Sequence, residues 1–469
     1  MRYRQLSGLS VLAAALNNLA KPLAPPWNDT RVMHTWNAVP HNWETLGHPP
    51  AGTTIDLHIA LKPHHENALV DALYEVSDPM NPGHVLSNTP RKMYSHVPLL
   101  RCRYGAHLSK EQVAQLVAPH PETLDLINSW LEHHDVPSSS ISTTHGGSWL
   151  TLTGVPVPRA NELLGASYQL YQRTGTNDTT TLRTIGYALP AVLHAHVRTV
   201  VPTTVFASTR TLWQTSRRRS GGATADMTSR DLVLSSGFDK VSPRDLRWLY
   251  NTTAYVPAAT DRNVLAVAGF KNEYPSPADL GEFMSECRTD AVDATYTVER
   301  INKGRYNPKR PAMEPNLDMQ YTQAIAYPTR HIFYSVGGES LAIQETKEPA
   351  PGDRLLEMLN YFIDEPSVPQ TISISYGGPE KLLPLQYTGA LCDLFAELGA
   401  RGASVIFPSG DDGVGDGGCI ANDGSGRVQF IPEFPSSCTC SFYFSFDAVH
   451  RHRHKSLTTS PLFPRSLCD

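Results

Sequence analysis

The strongest constraint on the fold is a series of short apolar runs in the second half of the chain. Val264–Gly269 is continuously apolar and ends in glycine, and Ile332–Val336, Thr371–Ser375 and Ser404–Phe407 are further strand candidates. Runs bounded in this way are typical of buried parallel strands. Segments of helical periodicity such as Leu385–Leu398 lie between them. The alternation predicts an α/β fold with a doubly wound parallel sheet, whose ligand site lies beyond the carboxyl ends of the strands.

The first half of the chain has a different pattern. Thr53–Leu61 alternates apolar and polar residues, as a half-buried strand does. Ser109 followed by Gln112 is a helix-start signal, and Val157–Leu164 has the periodicity of another helix. We expect residues 34–206 to form one compact α+β domain.

Two segments do not fit either pattern. Residues 207–240 are rich in Ser, Thr, Gly and Arg, which is linker composition, and the run Arg217–Arg219 is either a processing site or simply solvated. Gly83–Arg103 is polar and interrupted by proline, so it is either a long surface loop or a sequence artefact. The predicted division is a signal peptide over residues 1–20, an α+β domain over 34–206, a linker over 207–240, a parallel-sheet domain over 241–438 and a tail over 439–469.

Composition narrows the function classes. The 469 residues carry a formal net charge of −5, with 40% hydrophobic and 18% charged residues, so neither a nucleic acid nor a membrane surface is an expected partner. The basic Met1–Gln5 and the apolar Leu6–Leu16 resemble a secretory signal ending near Ala20, with an amphipathic helix as the alternative. No later apolar run has the length of a membrane span.

Three glycosylation sequons would be modified only if the chain enters the secretory pathway. They begin at Asn28, Asn177 and Asn251, although such triplets arise by chance as well. Seven cysteines leave at least one without an intramolecular disulfide partner, and the sequence does not define their pairing.

The first candidate for chemistry is the pair Glu314 and Asp318, four residues apart where Pro315 indicates a helix start. If the pair is buried, one carboxyl holds a proton with a raised pKa, and the pair can serve as a general base in acid. If the helix start is solvated, two carboxylates there simply complement the helix dipole.

The second candidate is Asp411 in the segment Phe407–Gly413, directly after a predicted buried strand. This is where a doubly wound sheet places its ligand site. Ser, Gly and Asp are also ordinary turn residues, so a plain connection between strand and helix is the alternative.

Together these motifs resemble one family. From about Thr35 to Cys438 the chain is similar to the sedolisins, in particular to the fungal secreted tripeptidyl peptidases. Tyr104–Ser109 resembles the signature of their activation prosegment, while Leu249–Thr252 and Val267–Tyr274 resemble the opening of their catalytic domain.

The site motifs belong to the same resemblance. Glu314 and Asp318, with Gln320 and Tyr321, match the family's catalytic carboxylates, and Ser409-Gly410-Asp411 matches its oxyanion motif. The resemblance implies a subtilisin-like fold behind a pro-kumamolisin-like prosegment. It also implies that a serine attacks the scissile carbonyl, Glu314 takes its proton, Asp318 orients Glu314, and Asp411 donates to the oxyanion.

The resemblance further implies the partners and the cofactor. Protein and peptide substrates and the chain's own prosegment are the expected partners, and tripeptidyl members release tripeptides from a free N-terminus. The family binds calcium near its C-terminus, and the matching ligands are not among these residues. Delivery outside the cell is expected, with the vacuole or lysosome as the alternative.

The chain departs from the family after Cys438. The family nucleophile lies in a Gly-Thr-Ser motif, which these residues do not contain, and Thr459-Ser460-Pro461 is not preceded by glycine. We therefore expect a C-terminally truncated or misassembled sequence. Two function classes follow: an acid serine-carboxyl tripeptidyl peptidase made as a zymogen, with endopeptidase specificity as a variant, or an inactive homologue that acts by binding or inhibition.

Overall fold

The computed structural model describes residues 27–40, 43–78, 104–174, 180–206, 210–211, 241–270, 272–337, 354–410, 419, 421 and 425–438. Most of the predicted linker, the atypical segment Gly83–Arg103 and the tail 439–469 lie outside these residues. So do the candidate site residue Asp411 and the sequon residue Asn177.

The first half of the chain is α+β, as the pattern predicts. Its helices are α1 (Ala68–Ser77), α2 (Lys110–Val117), α3 (Pro121–His133) and α4 (Val157–Leu164). Its strands are β1 (Thr30–Thr35), β2 (Trp43–Gly47), β3 (Thr54–Leu61), β4 (Ile141–Thr143), β5 (Trp149–Pro156), β6 (Gln169–Arg173), β7 (Thr181–Arg183), β8 (Gly186–Pro190) and β9 (Val197–Val201).

The main sheet of this half is antiparallel, in the order β4-β5-β3-β9. Alternate residues of β3, such as Leu57 and Ile59, are fully buried and share a core with Ile127 and Trp130 of α3. The predicted helix start at Ser109 is a capping box, in which Ser109 and Gln112 satisfy each other's backbone N–H groups.

The second half is built on a parallel sheet. Its helices are α5 (Pro243–Leu249), α6 (Pro277–Cys287), α7 (Met313–Ala326), α8 (Arg354–Asp364) and α9 (Leu385–Ala400). The short strand β10 (Arg210–Thr211) lies in the linker. The strands of the second half are β11 (Val264–Gly269), β12 (Tyr296–Ile301), β13 (Arg330–Val336), β14 (Thr371–Ile374), β15 (Tyr376–Pro379), β16 (Ser404–Ile406) and β17 (Glu433–Phe434).

Five of these strands form a sheet in the order β12-β13-β11-β14-β16, and every pairing in it is parallel. Val267 and Phe333 point to one face and pack on Met319 of α7. Ala266 and Ala268 point to the other face, into the cluster that contains the apolar residues of α8 and α9. Helices therefore cover both faces, which confirms the α/β fold and the doubly wound parallel sheet.

The two halves meet where α1 packs on α9. Leu69 and Leu73 of α1 share a cluster with Ala396 and Ala400 of α9, where small residues allow close approach. A Cβ added at Gly399 would lie 3.0 Å from Leu73 Cδ1, so the helix has little room for a larger residue there.

Polar contacts reinforce this junction. Arg198 of β9 forms an ion pair with Asp393 of α9, and the backbone N–H of Leu108 donates to Ala400 O at 2.8 Å. The backbone N–H of His145 donates to Asp364 Oδ1 at 3.0 Å, at the end of α8. The segment that resembles the prosegment signature thus contacts the C-terminal end of α9, while His145 contacts the C-terminal end of α8.

One disulfide pairing that the sequence left open is defined by the structure. Cys392 of α9 is bonded to Cys438, across 46 residues of sequence. Within the described ranges, no helix combines the length and apolar character that crossing a membrane requires.

The packing of α1 on α9 predicts that the contact stabilises the folded chain. We expect Leu73→Ala to destabilise the full chain by about 2–5 kcal/mol, because it removes a large side chain from a packed interface and leaves a cavity. Thermal unfolding measures this as a lower Tm. Tyr74→Ala is the control, because Tyr74 is in the same helix but is 55% exposed. Equal losses in both variants would show that the contact between α1 and α9 contributes no stability.

Candidate active site

Helix α7 carries both candidate carboxyl groups and is fixed by polar contacts with α6. The Asn316 side chain donates to Asp279 Oδ2 at 2.7 Å and accepts from the backbone N–H of Ser276 at 2.8 Å. The N-cap residue Ala312 donates its N–H to Tyr274 O at 2.9 Å. These bonds set the position of the first turn, where Glu314 lies.

The carboxyl pair is withdrawn from solvent. Glu314 is only 8% exposed, and Asp318, one turn later on the same helix face, is partly buried. The alternative of a solvated helix start is therefore wrong. The structure brings Glu314 and Asp318 together as the spacing predicts.

Asp318 lies in an environment that favours its protonated form. The Ser375 hydroxyl, just after β14, donates to Asp318 Oδ1 at 2.8 Å. Burial raises the pKa of Asp318 to about 7, and the hydrogen bond from Ser375 opposes that rise. Asp318 is therefore protonated at pH values well below 7, where its carboxyl group can itself donate a hydrogen bond, which an ionised carboxylate cannot.

A second polar contact lies beside Asp318, and the sequence motifs did not predict it. The Tyr376 hydroxyl donates to Glu273 Oε2 at 2.9 Å, and its ring packs edge-on against Phe270 with centroids 4.8 Å apart. Burial raises the pKa of Tyr376 well above its ordinary value, and the charges of Glu273 and Asp318 raise it further. The position of Ser375 and Tyr376 in the sequence could have indicated that they belong to the site. Both directly follow a buried strand, at the edge where doubly wound sheets place their ligand sites.

Strand β15 connects this site to the linker. The short strand β10 pairs antiparallel with β15, with Arg210 opposite Gly377 and Thr211 opposite Tyr376. Strand β17 pairs on the other side of β15. The backbone of the linker thus lies along the strand that begins beside Ser375, as an added strand does when an extended peptide binds a sheet edge.

The oxyanion candidate is described only in part. Ser409 and Gly410 follow β16 at the carboxyl edge of the sheet, and Gly410 has a φ of +91°, which favours glycine. Asp411 itself lies outside the described residues, so its role stays a prediction.

The described residues do not fit a calcium site. Among them, no group of three or more His, Cys, Asp or Glu side chains is arranged to hold a metal ion. Calcium requires six to eight oxygen ligands in a cage, and the carboxylates described here do not provide one.

Comparison with known proteins agrees with this architecture. Residues 101–206 match the family model of the pro-kumamolisin activation domain. Tripeptidyl-peptidase SED2 of Arthroderma otae is 31% identical over 429 residues, covering 89% of this chain and 67% of the relative. The chain belongs to the sedolisin family.

Other matches extend the comparison. A probable tripeptidyl-peptidase SED3 of Arthroderma benhamiae is 29% identical to this sedolisin over 434 residues, covering 90% of this chain and 67% of the relative. Among solved structures, Pseudomonas sedolisin complexed with two molecules of pseudo-iodotyrostatin matches with a TM-score of 0.28 and 14% identity, covering 43% of this chain and 52% of the other. Sedolisins are serine-type hydrolases, and the matched activation domain is that of a zymogen.

The raised pKa of Asp318 predicts how stability changes with pH. The folded state binds a proton that the unfolded chain releases near pH 4, so this group's favourable contribution in acid is lost as pH rises toward 7. The free energy of unfolding of the wild type should therefore fall between pH 4.5 and pH 7. We expect this fall to be smaller by about 1–3 kcal/mol in Asp318→Asn. Denaturant unfolding at the two pH values measures it.

Asp261→Asn is the matched control, because Asp261 is exposed. It should leave the pH dependence of the wild type unchanged. An Asp318→Asn variant with the same pH dependence as the wild type would contradict the assignment.

Proposed function

We propose that this sedolisin is an acid-acting tripeptidyl peptidase that is made as a zymogen and enters the secretory pathway. The observation that carries the proposal is the buried first turn of α7, where Glu314 is followed by Asp318 with a pKa of about 7. A protonated Asp318 can hold Glu314 by a hydrogen bond and leave it as the acceptor of a proton. The tripeptidyl specificity is supported by the relatives SED2 and SED3.

The proposed chemistry is acyl transfer. A serine hydroxyl attacks the scissile carbonyl and gives its proton to the Glu314 carboxylate, while Asp318 orients Glu314. The tetrahedral oxyanion accepts a hydrogen bond from protonated Asp411. Glu314 then gives the proton to the leaving amine, and water releases the tripeptide from the acyl-enzyme by the same route.

This division of roles explains operation in acid. Asp411 can donate only while it is protonated, so activity should fall as pH rises through the pKa of that group. Glu314 must be ionised to accept a proton, which limits activity at the lowest pH. Asp318 keeps its proton across this range because burial raises its pKa.

The zymogen state is supported by two contacts. Strand β10 of the linker pairs with β15, which begins next to the Asp318 partner Ser375. The matched activation domain also packs on α9, because Val113 and Val117 of α2 share a cluster with Ala396 and Ala400. An extended substrate needs the same kind of backbone pairing, so we propose that the linker must leave β15 before a peptide can bind.

Secretion is supported by the predicted signal, by exposed Asn28 and Asn251, and by the disulfide Cys392–Cys438, since disulfides persist in oxidising compartments. We propose an extracellular location, with the vacuole as the alternative. The proposed calcium dependence rests on the family alone.

Glycosylation gives a direct test of the secretory route. We expect the protein secreted by its native host to gain mobility on gels after treatment with an N-glycosidase, and Asn251→Gln to remove one increment of that shift. Asn263→Gln, which changes an exposed asparagine outside a sequon, should leave it unchanged. Secretion without any mobility shift would contradict glycosylation at these sites.

The catalytic proposal is tested on the complete product of the natural transcript, sequenced through the codon for Thr439. We expect a continuation that contains Gly-Thr-Ser, and release of tripeptides from a substrate with a free N-terminus at pH about 4. Glu314→Gln should lower kcat by about 10²–10⁴-fold, because it removes the general base.

Glu282→Gln is the control, since Glu282 lies exposed on α6. Full activity of Glu314→Gln would overturn the proposal. A transcript without the serine motif, whose product releases no tripeptides but slows an intact relative, would favour the inhibitory homologue instead.

A further inference from the structure

A short connection near the carboxyl pair carries an unusual concentration of positive charge. Residues 300–310, here named the cationic loop, lead from the end of β12 toward α7 and contain no acidic residue. All the basic residues in it are exposed: Arg300, Lys303, Arg305, Lys309 and Arg310. This concentration stands out in a chain whose formal net charge is −5.

The loop is held in one place by its uncharged residues. The backbone N–H of Gly304 donates to Ile301 O at 3.0 Å, and a Cβ added at Gly304 would lie 1.8 Å from Ser335 O. The Ser335 hydroxyl donates to Arg305 O. The Tyr306 hydroxyl donates to Pro275 O at 3.3 Å. The charged side chains therefore extend from a fixed backbone.

The loop leads directly into the proposed catalytic helix. Its first two residues, Arg300 and Ile301, end β12 at the carboxyl edge of the parallel sheet, and Arg310 precedes Glu314 by only four residues. Ala312, between them, is bonded to Tyr274 O at 2.9 Å. A peptide that approaches Glu314 along this edge would pass the loop.

Acidic residues of neighbouring elements also lie beside the loop: the Asn302 side chain donates to Glu357 of α8, and Glu299 of β12 precedes Arg300. Burial raises the pKa of Tyr274, and the positive charges of Arg305, Arg310, Arg300 and the buried Arg354 oppose that rise. Within the described part of the chain, none of the five loop cations forms an ion pair with an acidic side chain.

We infer that the cationic loop binds acidic side chains of the peptide substrate and so gives the peptidase a preference for aspartate and glutamate near the cleaved bond. The inference deepens the proposed function and rests on it. Exposed cations that are concentrated in one short loop and form no ion pair attract anions and raise their local concentration. Because free aspartate ionises near pH 3.9, the preference should grow as pH rises through about 4 and weaken with added salt.

A binding experiment tests the loop without needing catalysis. The probe is a fluorescent peptide that contains several aspartates, compared with its asparagine counterpart, on the full chain at pH 5.5 and low salt by anisotropy. We expect only the aspartate peptide to bind, and Arg305→Gln/Arg310→Gln to weaken it at least about threefold.

The control variant is Arg262→Gln/Arg330→Gln, which removes two exposed arginines from the opposite, amino-terminal edge of the sheet. It should bind the aspartate peptide as the wild type does. Equal weakening in both variants, or equal binding of the two peptides, overturns the inference. Displacement of the peptide by an oligonucleotide of the same net charge also overturns the inference, because the loop would then be a surface that binds any polyanion.

A second measurement uses the active product of the transcript. The ratio of kcat/KM for an aspartate substrate to that for its asparagine analogue should exceed one at pH 5 and fall severalfold in Arg305→Gln/Arg310→Gln but not in the control. Hydrolysis with an unchanged ratio overturns the inference and leaves the proposed function intact. Absence of all hydrolysis with loop-dependent binding would instead contradict the proposed function.

Discussion

The parallel sheet is buried between helices on both faces, and the geometry of the site follows from this packing. Val267 and Phe333 contact α7 through Met319, while Ala266 and Ala268 face α8 and α9. Because the strands are parallel, their carboxyl ends lie at one edge. Ser375 after β14, Ser409 after β16 and the cationic loop after β12 therefore all lie along that edge. Helix α7, packed against the same sheet, brings Asp318 to Ser375.

Burial of carboxyl groups is a second recurring feature. Asp318 has a pKa of about 7, and burial raises the pKa of Glu397 on α9 to about 8, with Arg401 opposing the rise and Asp364 adding to it. Both groups bind protons more tightly in the folded state, so both favour folding in acid and lose that contribution as pH rises. Buried His331 acts in the opposite sense, because burial lowers its pKa and its protonation in acid opposes folding.

Much of the fold could be predicted because local pattern and final structure agree. Val264–Gly269 and Val157–Leu164 have the predicted bounds, and the capping box at Ser109 formed as its spacing indicated. Each of these signals depends on residues close in sequence. One bound differs beside a tertiary contact: the strand expected over Thr371–Ser375 ends at Ile374, and the Ser375 hydroxyl donates to Asp318 Oδ1.

The sequence by itself determined the fold class, the pairing of Glu314 with Asp318 on one helix face, and the family resemblance. These follow from periodicity, spacing and motif order, which local chain geometry preserves. Only the tertiary structure decided that the pair is buried, that Ser375 and Tyr376 belong to the site, and that the linker pairs with β15. Burial and contacts across 57 or 103 residues depend on how separate elements pack, and no local pattern encodes that arrangement.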